Sequence, residues 1–128
     1  MSITETSAAT VPFERFWRWL IEHPNCIVRA GTYDAVLFDS DEFHWAFVEE
    51  EDGRAIVQML KGKHPVGELI LERQEIQSVK ASPDVEGGQS GQWLFEVVGG
   101  PKNETYAMYH FVMSHGMDPQ ATHQPLKH

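Results

Sequence analysis

The sequence predicts an α+β domain, with an N-terminal helix packed on a strongly bent antiparallel sheet or small barrel of about seven strands. A single stretch, Pro12 to His23, repeats its apolar residues at helical spacing. From Cys26 onward, short segments of alternating character are separated by Gly-, Asp- and Pro-bearing turns. Connections this tight join antiparallel neighbours, because parallel strands need long crossovers.

Residues 1–10 read as a disordered lead, 11–115 as the folded domain and 116–128 as a flexible tail. In the helix, Pro12 suits the first position, Glu14 the acidic first turn, and His23-Pro24 closes it. Phe13, Phe16, Trp17, Leu20 and Ile21 make one apolar stripe, with Trp19 at its margin. The first two strands, CIVRA and YDAVLF, flank a Gly31-Thr32 turn. FHWAFVEE places Phe43, Trp45 and Phe47 on one face and His44, Ala46 and Val48 on the other. Asp52-Gly53 turns the chain into RAIVQMLK, and Lys61–Pro65 turns it again into VGELILER and EIQSVKA. Ser82–Gly91 is a loop, and QWLFEVV is a strand ended by Gly99-Gly100-Pro101. TYAMYHFVMSH fits either period; its aromatic and Val content favours a strand.

With 41% apolar residues in 128, the chain buries a core without disulfides or metal. Ten Lys and Arg against nineteen acids give a net charge of −9, which disfavours nucleic acid and anionic membranes and suits a basic protein partner. One cysteine excludes an internal disulfide, the N-terminus carries no signal-peptide pattern, and no apolar run spans a bilayer. A cytoplasmic location is the expectation.

Catalytic signatures are lacking. No serine sits in a nucleophile elbow, and Cys26, opening an apolar strand, reads as a small buried hydrophobe. The histidines show no zinc spacing, Asp39-Ser40-Asp41-Glu42 lacks an EF-hand's spacing and glycine, and Gly87–Gly91 lacks the P-loop Lys. No metal or cofactor is therefore expected, and the residues lean against enzymatic activity without deciding it.

The most unusual feature is electrostatic. Eight acids lie from Asp34 to Asp52 with no Lys or Arg among them, bracketing the aromatic strand. The leading expectation is a non-catalytic protein-binding module of adaptor, chaperone-like or inhibitor/immunity type. It would hold a basic partner through Trp19, Asp39, Asp41, Glu42, Glu49, Glu50 and Glu51. The alternative is a small-molecule-binding or hydrolase-like protein. Its aromatic pocket inside the bent sheet would be lined by Phe43, Trp45, Trp93, Phe95 and Tyr109, with His44 or His110 as the polar contact. Homo-oligomerisation through a sheet edge or the helix is a third expectation.

Overall fold

A computed structural model describes residues 9–84 and 91–117, so positions 1–8 of the expected lead, 85–90 of the expected loop and 118–128 of the expected tail lie outside the description. One helix, α1 (Phe13–Ile21), stands among nine strands: β1 (Ala9–Val11), β2 (Ile27–Gly31), β3 (Val36–Phe38), β4 (His44–Glu49), β5 (Ala55–Lys61), β6 (His64–Leu71), β7 (Ile76–Pro83), β8 (Trp93–Gly99) and β9 (Tyr106–Met113). They form two antiparallel sheets, one of six strands in the order β1-β7-β8-β9-β2-β3 and one of three in the order β4-β5-β6. The mostly-sheet α+β class with one helix stands, but the sheets do not close, so of the two forms expected the small barrel of about seven strands is not formed. Ala9 and Thr10, expected in the lead, instead pair with Ala81 and Lys80.

The helix begins one residue later than expected, with Pro12 in extended conformation as its cap and Glu14 in its first turn. Its apolar stripe faces both sheets. Phe16 stacks on Phe95 of β8 at 5.1 Å and meets Phe111 of β9 edge-on at 5.4 Å. Trp17 meets Phe47 of β4 at 5.7 Å, nearly perpendicular. The core therefore lies between the sheets, with the helix filling it from one side.

Turn chemistry explains the small sheet. Gly53 joins β4 to β5 at φ 95° and Gly62 joins β5 to β6 at φ 64°, conformations that cost other residues heavily. The ambiguous segment is strand β9, alternating Tyr109, Phe111 and Met113 toward the core. In β2 the alternation breaks: Ile27 and Ala30 are buried, and a register shift between Ile27 and Arg29 takes up the extra residue. Arg29 thus stands opposite Val112 on one side and Phe38 on the other. At the C-terminal end, Met117 packs on the core, and a Cβ at Gly116 would come within 2.7 Å of the Trp93 ring.

Candidate functional site

The acids of the 34–52 window divide into two groups. Several are engaged inside the fold. Glu49 accepts the indole N–H of buried Trp17 at 2.8 Å and also faces Arg73 at 3.4 Å. Arg73 in turn makes two hydrogen bonds to Glu14, at 2.8 and 3.2 Å. Asp39 accepts the indole N–H of Trp45 at 3.0 Å. Glu42 pairs with Lys61 at 3.4 Å, Asp52 with Arg54 at 2.9 Å, and Glu50 with Arg54 at 3.9 Å. The carboxylates of Asp34, Asp41 and Glu51 make no ion pair or hydrogen bond among the described residues. Of the acids expected to meet a partner, Asp41 and Glu51 are therefore free, whereas Glu49 and Asp39 hold tryptophans in place.

Trp19 is half-buried, with Phe95 at 5.3 Å, His23 at 4.9 Å and His115 at 5.7 Å, so it does not project as an anchor. The exposed aromatics are elsewhere. Tyr33 is 96% exposed in the β2–β3 turn and Phe38 62% exposed at the end of β3, with Val36 also on the surface between them. Leu37, alternating with them, points the other way and touches β6, where a Cβ at Gly67 would meet its Cδ2 at 2.5 Å. Strand β3 is the end strand of the large sheet and pairs with β2 alone among the described residues. The stretch YDAVLFD carried an available signal, two aromatics and a Val interspersed with two acids. Only the sheet order shows that it lies at an edge.

The five aromatic residues expected to line a pocket belong to one packed core. Trp45, Phe95 and Tyr109 are buried core residues, and Phe43 and Trp93 pack against that core. The Tyr109 hydroxyl accepts the backbone N–H of Glu72 at 3.0 Å, and burial pushes its pKa up. His44 is exposed on β4. His110 is on β9 but alternates with Tyr109 and Phe111, which puts it on the outer face of the large sheet.

His110 stands directly opposite Glu96. Its pKa is lowered by partial burial first and by the Arg29 guanidinium second, with Glu96 acting in the opposite direction. Below its ordinary value of 6.5, the unfolded chain takes up a proton that the folded chain resists. Stability should therefore fall as pH drops from 6.5 toward the lowered value, and His110→Gln should flatten that part of the profile. Urea midpoints measured across this window check it; parallel profiles for the two proteins would refute it.

A contact between Cys26 and His115 joins the start of β2 to the end of β9, its neighbour in the large sheet. Cys26 is half-buried, and its Sγ is 3.1 Å from Nε2 of His115. Nδ1 of His115 is 3.0 Å from the Gly116 carbonyl, which can only accept, so Nδ1 carries the proton and Nε2 faces the thiol as acceptor. The backbone bond from Ser114 N–H to the Cys26 carbonyl, 2.8 Å, sets this register. Eighty-nine positions of sequence separate Cys26 from His115, so no local motif announces the contact.

Among the described residues, no group of three or more His, Cys, Asp or Glu side chains is placed to hold a metal ion, and no helix is long and apolar enough to cross a membrane. No family model, curated protein or solved structure matches the chain.

Proposed function

We propose that the chain is a non-catalytic protein-binding module that takes an extended basic segment of a partner along the edge strand β3. The observation that carries this reading is the exposure of Tyr33 and Phe38, 96% and 62%, at an end strand flanked by unpaired carboxylates. An end strand leaves backbone N–H and C=O groups available for an added strand, and alternate side chains of the partner then read the surface. Sheet edges are ordinarily blunted with Lys, Pro or a covering loop. Val36-Leu37-Phe38 holds neither Lys nor Pro, though a three-residue strand is itself short.

Aromatic side chains supply the anchors, and the acids select the partner's charge. Asp34 precedes the strand and Asp41 follows it, both without an internal partner among the described residues. A second copy of this chain is a poor occupant, because pairing two such edges would oppose like charges. The single cysteine, reduced and without a disulfide partner, suits a cytoplasmic setting.

A short peptide alternating lysine and valine is the probe. Added to the isotopically labelled protein, it is expected to shift the backbone amide resonances of β3 at low salt and to lose most of that effect at high salt. Combining Asp34→Lys with Phe38→Ser should weaken the peptide by about tenfold or more, equivalent to ~1.4 kcal/mol, while leaving the rest of the spectrum intact. Shifts confined to other strands, or an affinity indifferent to both salt and substitution, would overturn the proposal.

A further inference from the structure

A row of residues crosses all six strands on the outer face of the large sheet: Thr10, Lys80, Glu96, His110, Gly31 and Val36, each opposite the next. In this row Glu96 lies between Lys80 and His110, so its charge already has a cationic neighbour across the strand. The adjacent row runs Ser82, Leu94, Val112, Arg29 and Phe38. Arg29 therefore sits diagonally beside His110, in a sheet face that is apolar on either side of it.

Three arginines of the described chain are half-buried: Arg29, Arg54 and Arg73. Arg54 is paired with Asp52 and Glu50, and Arg73 with Glu14 and Glu49. Arg29 has no carboxylate within ion-pair distance and no side-chain hydrogen bond among the described residues. A guanidinium drawn partly out of water normally has its fork occupied, so an empty one facing a cavity calls for an anion. A cavity is there. Arg29, Glu96 and His110 line a groove of about 270 Å³, with Leu94 and Ala107 as apolar wall and Tyr33 at its rim. That is slightly below the ~300–1,000 Å³ usual for ligand pockets, which suits a small organic acid rather than a nucleotide. A larger groove of about 450 Å³, bounded by Gln74, Glu75, Ile76 and Pro101, has one carboxylate and no cation in its lining.

We propose that this groove binds a small carboxylate with a flat apolar body, its carboxylate forked by Arg29 and its body lying between Leu94, Ala107 and the Tyr33 ring. The planar guanidinium matches a carboxylate with two parallel hydrogen bonds. His110, neutral and holding both a donor and an acceptor nitrogen, meets the ligand's second oxygen without adding a charge that Glu96 would have to balance. This site shares Tyr33 with the β3 edge but differs from it in charge: the edge selects cations, and the groove selects an anion.

Benzoate is the probe, with benzamide as its uncharged counterpart and inorganic phosphate as an anion of the wrong shape. Titration calorimetry on the full chain should show saturable benzoate binding, with benzamide and phosphate each at least about tenfold weaker. Arg29→Gln should abolish the preference for benzoate over benzamide, and Arg29→Lys, which keeps the charge but not the fork, should retain part of it. The lysine variant guards against loss of fold, since its thermal midpoint serves as the reference for both. Asp41→Lys, which alters the charge flanking the edge and lies outside the groove's lining, should leave benzoate binding unchanged while weakening the basic peptide, so the two proposals fail separately. Absence of saturation, equal binding of benzamide, tighter binding of phosphate, or benzoate affinity unaltered in Arg29→Gln would each overturn the assignment.

Discussion

Phe16→Ala is expected to cost about 3–5 kcal/mol of folding free energy, the upper range for removing a buried aromatic. Phe16 is fully buried, and its ring lies 5.1 Å from Phe95, 5.4 Å from Phe111 and 6.1 Å from Trp19. Deleting it removes the apolar burial of the ring and strips three aromatic neighbours of a partner, each such pair contributing about 0.5–1.5 kcal/mol beyond area. The surrounding strands β8 and β9 are hydrogen-bonded to one another along their length and cannot collapse into the space. Domains of this size have about 5–15 kcal/mol in total, so the variant should unfold at far lower urea than the parent. Phe16→Leu, which keeps most of the volume, is expected to lose a smaller part and provides a folded comparison. Ile21→Ala, on the same helix but 37% exposed, should stay within about 1 kcal/mol. If Phe16→Ala costs no more than Ile21→Ala, the helix is not seated on the large sheet as described.

The elements that the sequence disclosed are those whose signals are local. Phe13, Phe16, Trp17 and Leu20 recur with the helical period and are the buried residues of α1. Asp52-Gly53 marks a turn because its backbone conformation excludes most side chains, and β4 and β5 pair around it. Sheet membership is a different kind of fact. Ala9 pairs with Ala81 and Ile27 with Met113, contacts between segments that carry no mark of each other. The three residues of β1 are too few to show a period, so they read as lead. The same limit governs the candidate site. Whether a carboxylate is a free surface charge or an indole's hydrogen-bond acceptor depends on what folds beside it. Glu49 and Trp17 meet across 32 positions, while Glu51, two residues further on, has no partner among the described residues. The charge window was legible, and its division into structural and available acids was not.

That division has a consequence for any charge-reversal test of binding. Glu49→Lys is expected to lower stability by about 2 kcal/mol, most of it from a buried donor left without an acceptor. Trp17 is 1% exposed, and its indole N–H has Glu49 as its acceptor at 2.8 Å. The same carboxylate faces Arg73 at 3.4 Å, so the new ammonium would also meet a guanidinium already committed to Glu14. The ion pair itself adds little, below about 1 kcal/mol, because the Glu49 side chain is 55% exposed. Glu49→Gln separates the two contributions: its amide oxygen still accepts from the indole, so it should lose only about 0.5 kcal/mol. Glu51→Lys and Asp41→Lys, at acids without internal partners, should each remain within about 0.5 kcal/mol of the parent. Urea unfolding of the four variants, followed by tryptophan fluorescence, is the measurement. Equal midpoints for Glu49→Lys and Glu51→Lys would show that the Trp17–Glu49 bond contributes nothing. With the expected order, partner-binding effects at Asp41 and Glu51 report on the surface, whereas a loss at Glu49 reports first on the core beneath it.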